Sequence, residues 1–201
     1  ECDICMLTLP LRNEEQRYQA CCGKVLCQGC IYAAYKADNR RLCPFCRTPE
    51  AALGEILEML KKRAEAGDAN AMRNLGCEYY HGDMGLTQDR EKAMELWLRA
   101  GELGYAAAYY NVGNAYCYGR GVERDMKQAK YYYELAAMGG HVKARNNLGV
   151  IEWSAGNTER AIKHWMISAE AGVDESLTNI RQYFLSGDVT KDDFEKALRA
   201  H

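Results

Sequence analysis

Apolar and small residues recur at helical spacing over most of the chain. The clearest stripe on one helical face is formed by Ala93, Leu96, Trp97 and Ala100. The segment from Ile56 to Ala64 has the same spacing. Polar residues fill the positions between, so each segment predicts an amphipathic helix that buries one face. From about Glu50 onward, the pattern therefore predicts a mostly α-helical fold.

One helical segment recurs along the chain. Three copies end in Asn, an apolar residue and Gly and lie about 36 residues apart, at 71–76, 108–113 and 144–149. A decayed copy lies at 176–181. Periods of this length indicate helix pairs that stack into an α-solenoid, because a single pair cannot bury its apolar face alone.

A second helix repeats within each unit. Its copies share an alanine, a later aromatic residue and a second alanine, as in Lys92-Ala93 with Trp97 and Ala100, Gln128-Ala129 with Tyr133 and Ala136, and Arg160-Ala161 with Trp165 and Ala169. Between the two helices, the first two units carry the glycine pairs Gly82 with Gly85 and Gly119 with Gly121. Glycine suits a loop that needs positive φ. The third unit has a shorter loop at 153–157.

The first 46 residues differ in character, because they hold eight of the ten cysteines. These cysteines form four pairs: Cys2 and Cys5, Cys21 and Cys22, Cys27 and Cys30, and Cys43 and Cys46. A C-x-x-C pair presents two sulfurs to one tetrahedral metal, so four pairs predict two closed, structural zinc sites. A segment this short buries too little apolar surface to fold unaided, so zinc would supply most of its stability.

Four disulfides in a secreted scaffold are the alternative use of eight cysteines. Cys77 and Cys117 stand singly in helical patterns, and no hydrophobic signal segment opens the chain. We therefore favour metal and expect an intracellular protein, cytoplasmic or nuclear. Because the chain begins one residue before its first candidate ligand, we also expect it to be a piece of a longer protein.

The order of the cysteine pairs resembles the RING zinc finger family in an all-cysteine form. The resemblance implies interleaved ligands, with Cys2, Cys5, Cys27 and Cys30 on one zinc ion and Cys21, Cys22, Cys43 and Cys46 on the other. In RING ubiquitin ligases, an apolar residue in the first knuckle, a proline in the last and a cation after the final ligand contact a ubiquitin-conjugating enzyme. The matching residues here are Ile4, Pro44 and Arg47. The resemblance thus implies an E3 ubiquitin transferase that positions its conjugating enzyme without a covalent intermediate.

Two residues depart from the RING pattern. Lys24 stands where the commonest form has a histidine ligand, and an ammonium group has no lone pair to offer a metal. Ala34 stands about where many active members carry a tryptophan. These departures favour the alternative function, a non-catalytic adaptor with a structural zinc module. A FYVE-type finger also has eight zinc ligands, but the clustered basic histidine motif expected there is absent.

The helical repeats resemble Sel1-like repeats, relatives of tetratricopeptide repeats with longer loops. The resemblance rests on the order of three motifs along a repeat. Asn-Leu-Gly comes first, the stretch from Tyr116 to Val122 with Gly119 and Gly121 follows, and Asp125 comes last. A plain tetratricopeptide array would have a period of about 34 and no glycine loop. Sel1-like repeats scaffold protein complexes, which implies an unidentified protein partner on the concave face of the repeats.

Charge and motif content argue against other function classes. Lys and Arg number 26 against 28 acidic residues, so no basic stripe is available for nucleic acid. No apolar run reaches about 20 residues, so we expect no membrane span. The four histidines, His81, His141, His164 and His201, are scattered, and no catalytic or cofactor-binding residue can be named.

These observations predict three regions: a RING-like zinc-binding module at 1–48, a connecting and capping helix at 49–66, and Sel1-like repeats at 67–201. The repeats are approximately 67–103, 104–139, 140–171 and 172–200. Thr48 and Pro49 have the residue types of a helix start, with threonine as the cap and proline in the first turn. Because no flexible linker follows the module, we expect it to hold a fixed orientation on the first helices of the repeats.

Overall fold

The computed structural model describes residues 1–8, 16–37 and 41–200, without the side chains of Asp193 and Ala200. The described chain is mostly α-helical, with ten helices and one two-stranded sheet, and this confirms the fold class predicted from the sequence. It divides into two compact units, Glu1–Leu103 and Gly104–His201.

The first unit begins with a cysteine-rich module. Its elements are strands β1 (Gln16–Gln19) and β2 (Lys24–Cys27) and helix α1 (Gln28–Ala37). The strands pair antiparallel, with Gln16 opposite Cys27 and Gln19 opposite Lys24. The buried apolar residues of the described module are few: Cys2, Leu26 and Ile31 form its core, and Cys43 is also buried.

Helices α2 (Leu53–Glu65), α3 (Ala69–His81) and α4 (Arg90–Glu102) complete the first unit. The sequence predicts that α2 starts near Thr48 and Pro49, but the helix starts only at Leu53. Pro49 instead forms an isolated antiparallel bridge with Leu42, and the Thr48 carbonyl accepts a hydrogen bond from Cys43 N at 2.7 Å. The backbone at these positions is therefore extended against the last cysteine knuckle and cannot enter a helix.

Helices α3 and α4 meet at a glycine. A Cβ atom on Gly76 of α3 would lie 2.6 Å from Nε1 of Trp97 on α4. The Trp97 indole N–H donates to the Arg73 carbonyl at 3.1 Å. The recurring glycine therefore leaves room for the recurring aromatic residue of the second helix.

The second unit repeats this packing. Its helices are α5 (Ala106–Tyr118), α6 (Met126–Met138), α7 (Val142–Ser154), α8 (Thr158–Glu170), α9 (Asp174–Leu185) and α10 (Lys191–Ala200). A Cβ atom on Gly113 would lie 2.6 Å from the Tyr133 ring, and Gly149 takes the same role against Trp165. Tyr133 also donates its hydroxyl to Asn114 Oδ1 at 2.7 Å.

The loops within the helix pairs follow the sequence prediction. Gly82 and Gly119 end α3 and α5 with φ of 77° and 64°. The N-caps of the following helices α4 and α6 are Asp89 and Asp125, whose carboxylates accept hydrogen bonds from backbone N–H groups of the first turn. The third loop is short, since α7 ends at Ser154 and α8 begins at Thr158. None of the helices in the described ranges combines the length and apolar character that a bilayer crossing requires.

Candidate metal centre

The structure gathers the eight N-terminal cysteines into two groups of four. One group, the first tetrad, is Cys2, Cys5, Cys27 and Cys30, and the other, the second tetrad, is Cys21, Cys22, Cys43 and Cys46. Within each tetrad all four sulfur atoms lie within 4.8 Å of one another. The grouping is the interleaved one that the RING resemblance implies.

The first and last cysteine pairs fold as matching knuckles. Cys2 N donates to Leu7 O at 2.9 Å and Met6 N to Cys2 O at 2.9 Å. In the last pair, Cys43 N donates to Thr48 O at 2.7 Å and Arg47 N to Cys43 O at 3.0 Å. The residue after each second cysteine has positive φ, 59° for Met6 and 61° for Arg47. This left-handed residue reverses the chain, and so both sulfurs of a pair face one point.

The β hairpin and the start of α1 supply the remaining ligands to both tetrads. Cys21 and Cys22 lie in the turn between β1 and β2, where Cys22 N donates to Gln19 O at 3.1 Å. Cys27 ends β2, and Cys30 lies in the first turn of α1. One hairpin therefore places two cysteines at its turn and one at its far end, and this separation produces the interleaving.

The sulfur spacing fits zinc. Four sulfurs about 2.3 Å from one tetrahedral zinc ion lie about 3.8 Å apart. In the structure the Sγ–Sγ distances are 3.8 Å for Cys5 and Cys27, 3.9 Å for Cys22 and Cys43, and 3.5 Å for Cys46 and Cys21. A disulfide needs an S–S distance of about 2.05 Å, and none of the ten cysteines, all of which lie in the described ranges, forms a disulfide. Both tetrads could thus hold a metal ion.

Ionisation of the thiols is uneven within each tetrad. Burial opposes ionisation of Cys46, but hydrogen bonds from Thr48 lower its pKa to about 6. Burial raises the pKa of Cys22 to about 11, and burial together with the contact to Cys46 raises the pKa of Cys21. In the first tetrad, backbone N–H groups overcome burial and lower the pKa of Cys2 to about 6. Thiols this close oppose one another's ionisation, and a divalent cation removes that opposition because it binds thiolate.

Lys24, which stands where the commonest RING form has a histidine ligand, lies close to both knuckles. Its ammonium group lies 3.0 Å from Asp3 Oδ1 in the first knuckle and 5.3 Å from the centre of the Phe45 ring in the last. The side chain therefore contacts both knuckles without belonging to either tetrad. Cys21 takes the fourth place in the second tetrad.

The residues predicted to contact a conjugating enzyme lie on the knuckles. Ile4 is 42% exposed, Pro44 is half-buried and Arg47 is exposed. The sequence interpretation missed Phe45, which is 47% exposed and occupies the place in the last knuckle that Ile4 occupies in the first. Aligning the two C-x-x-C pairs would have revealed it.

The sequence interpretation also missed a polar contact between the module and the helices. Arg63 of α2 donates from Nε to Ala20 O at 2.7 Å and from Nη2 to Cys21 O at 3.1 Å. Tyr18 of β1 donates its hydroxyl to Asp68 Oδ2 at 2.7 Å. Burial and this hydrogen bond raise the pKa of Tyr18. No signal in the sequence pointed to these residues, because they are far apart along the chain.

The comparison with family models matched the Sel1 repeat at residues 69–105 and 106–141. It gave no RING match. The chain is 31% identical over 111 residues to the ERAD-associated E3 ubiquitin-protein ligase component HRD3B of Arabidopsis thaliana. The aligned residues cover 55% of this chain and 17% of that protein. The chain thus spans less than a fifth of the length of this relative.

Two solved structures are similar in fold. A protective antigen of uropathogenic Escherichia coli with an SLR fold aligns with a TM-score of 0.63 and 34% identity, covering 71% of this chain and 33% of that one. A Sel1 repeat protein from Oxalobacter formigenes aligns with a TM-score of 0.69 and 24% identity, covering 84% of this chain and 67% of that one. The helix pairs at residues 69–105 and 106–141 are therefore Sel1 repeats.

Proposed function

We propose that this chain is a RING-type E3 ubiquitin-protein ligase. Its two tetrads hold one structural zinc ion each, its knuckles dock a ubiquitin-conjugating enzyme, and its Sel1 repeats bind a substrate or partner protein. The single observation that carries the proposal is the interleaved grouping of the eight cysteines into two tetrads of zinc-like dimensions. We also propose an intracellular location, where thiols stay reduced and available to metal.

The exposed residues of the two knuckles support a docking role. Ile4 and Phe45 present apolar side chains at matching places, and Arg47 follows the last ligand. A guanidinium suits a position between two proteins because its planar donors can hold two carbonyl groups at once. In this mechanism the zinc ions keep the surface in shape, and the chain itself supplies no nucleophile or proton.

The comparisons support a connection with ubiquitin transfer. The Arabidopsis relative is described as a component of an ERAD-associated E3 ubiquitin-protein ligase. The similarity covers 111 residues, and Sel1 repeats are the part of this chain matched by a family model. The relative therefore supports a protein-binding role of the repeats in a ligase assembly.

A non-catalytic adaptor is the second candidate, and α1 favours it. Ala34 of this helix is half-buried, and Tyr32 is its large exposed apolar side chain, at 66%. If neither residue contacts a conjugating enzyme, the module serves only as a metal-stabilised start to the repeats. The same zinc content is expected for either function, so only transfer activity separates them.

The test is the discharge of ubiquitin from a panel of loaded conjugating enzymes to free lysine. We expect the wild-type chain to accelerate discharge and Arg47→Gly to abolish the acceleration. Glycine is the best replacement here because Arg47 has a φ of 61°, where glycine is unstrained. The variant should therefore keep the knuckle intact and lose only the guanidinium.

Arg41→Ala is the matched control, because Arg41 is an exposed cation of the same module whose partner is the exposed Glu50. It should discharge ubiquitin as the wild type does. Both variants should retain two zinc ions per chain by mass spectrometry. Absence of discharge with every conjugating enzyme, from a chain with two zinc ions, would refute the ligase and leave the adaptor.

A further inference from the structure

Arg63 links the second tetrad to the helices that follow the module. Its side chain extends from α2 to the turn that carries two ligands, where it donates to the carbonyls of Ala20 and Cys21 at 2.7 and 3.1 Å. The guanidinium is half-buried. Because its donors are fixed in one plane, two such bonds set the position of the peptide planes at the turn. These peptide groups join Ala20 to Cys21 and Cys21 to Cys22, so their position sets where the two cysteine side chains begin.

The same guanidinium reaches the start of the first Sel1 repeat. Arg63 Nη1 lies 3.5 Å from Asp68 Oδ2. The other oxygen of Asp68 accepts from Asn70 N and Ala71 N, both at 3.0 Å, and so caps helix α3. Tyr18 of β1 holds the same carboxylate from the module side. The Asp68 carboxylate therefore bonds to Tyr18 of the module and to Arg63 of α2, and it also caps the N-terminus of α3.

Gly23, in the turn between β1 and β2, leaves room for the Arg63 guanidinium and the Asp68 carboxylate. Gly23 has a φ of 74°, and a Cβ atom there would lie 2.5 Å from Arg63 Nη1 and 3.0 Å from Asp68 Oδ2. Any other residue would push the guanidinium away from the turn. Glycine at this position thus has both a conformational and a packing reason.

We propose that Arg63 is a positioning residue for the second tetrad and that, through Asp68, metal binding there is coupled to the order of the α3 N-terminus. The proposal rests on the metal sites of the proposed function but not on ligase activity. Outer contacts that orient ligands change metal affinity, typically by roughly 10- to 100-fold when removed. Within the described residues, the hydrogen bonds of Arg63 go to the turn of the second tetrad and to Asp68, so the first tetrad serves as an internal reference.

The test compares the full zinc-loaded chain with Arg63→Gln under a zinc chelator. Alkylation of each cysteine is followed by peptide mass spectrometry. We expect labelling of Cys21, Cys22, Cys43 and Cys46 to be roughly 10- to 100-fold faster than in the wild type, with the other tetrad unchanged. Hydrogen exchange at Asn70 and Ala71 should rise as the second metal leaves.

Lys62→Gln is the matched control, because Lys62 is the exposed neighbour of Arg63 on α2. It should label like the wild type. Gly23→Ala is the second variant, and it should accelerate the second tetrad selectively while Arg63 itself is kept. It also tests the contact if Arg63→Gln is too unstable to load with zinc.

The outcomes distinguish a failure of the proposed zinc sites from a failure of the positioning role of Arg63. A wild-type chain that binds no zinc would overturn the metal sites and this inference together. Two bound zinc ions with unchanged labelling in Arg63→Gln and Gly23→Ala would overturn the inference alone. Equal acceleration of both tetrads would show general destabilisation and would also overturn it.

Discussion

Glu152 of α7 is a charged residue with only 3% of its surface exposed. It is tolerated there because Lys130 Nζ lies 2.6 Å from Oε1 and Asn157 Nδ2 donates to Oε2 at 2.7 Å. The bond from Lys130 is the main cause that lowers the pKa of Glu152. A buried carboxylate with fewer partners would be costly, because nothing else replaces its hydration.

Lys130→Met should destabilise the second unit by about 2 kcal/mol. This value is near the lower end of the range for removing one partner of a buried ion pair, because the Lys130 side chain is 34% exposed. The native pKa of Glu152 is below its unfolded value of about 4.3, so the pair stabilises the fold fully above that pH. Its contribution is lost as pH falls through the native pKa. The difference between wild type and variant should therefore be large at neutral pH and shrink in acid.

Hydrogen exchange of α6 and α7 amides measures this loss locally, which separates it from any acid effect on the thiols. Adding Glu152→Gln to Lys130→Met should recover part of the stability, because no unpaired charge then remains buried. A difference that stays constant with pH would show that Lys130 acts through packing and not through its charge.

At the scale of elements, the helix pairs depend on one close contact between a glycine and an aromatic ring. Gly76, Gly113 and Gly149 lie against Trp97, Tyr133 and Trp165. The ring also bonds to the first helix, through Trp97 Nε1 to Arg73 O and Trp165 Nε1 to Asn146 O. Glycine costs helix propensity at these positions, so the packing must outweigh that cost.

Gly76→Ala should therefore destabilise the first repeat by about 1–3 kcal/mol, despite the better helix propensity of alanine. The added Cβ would lie 3.2 Å from the Ala93 carbonyl oxygen as well as 2.6 Å from Trp97, so the two helices must separate. Gly54→Ala is the control, since no heavy atom lies within 4 Å of a Cβ at that position on α2. It should be neutral or stabilising by up to about 1 kcal/mol. Urea unfolding of the zinc-loaded chains measures the free energy of unfolding of each variant. A Gly76→Ala variant more stable than the wild type would contradict the packing account.

At the scale of the whole molecule, the two ends of the chain are held by different forces. The helix pairs have continuous buried cores, such as Ala161, Trp165, Ala169 and Ile180. The described module has only Cys2, Leu26 and Ile31 in its core cluster. Apolar burial of this size is too small to order a domain without metal or disulfides.

Removal of zinc by a chelator under reducing conditions should abolish the exchange protection of β1, β2 and α1. Helices α7 and α8 should keep their protection, because their core contains no cysteine ligand. Hydrogen exchange with mass spectrometry resolves the two regions in one sample, and added zinc should restore the module. A module that stays protected after verified loss of zinc would show that apolar packing alone holds it.

Local patterns were readable in the sequence because the physics behind them is local. The period of the repeats, the glycines of the loops and the pairing of the cysteines each depend on residues near one another in the chain. The start of α2 was not readable in this way. Thr48 and Pro49 have the types of a helix start, but pairing of Pro49 with Leu42 holds them extended. Tertiary context overrode local propensity there.

The sequence by itself determined that the chain is mostly α-helical, that its helices come in Sel1-type pairs and that eight cysteines could serve two metal sites. Only the tertiary structure decided that Lys24 contacts both knuckles, that Phe45 matches Ile4, and that Arg63 joins the second tetrad to the first repeat. The reason is physical. Periodicity and ligand spacing act over a few residues, whereas these contacts join side chains distant in sequence whose approach depends on the folded backbone.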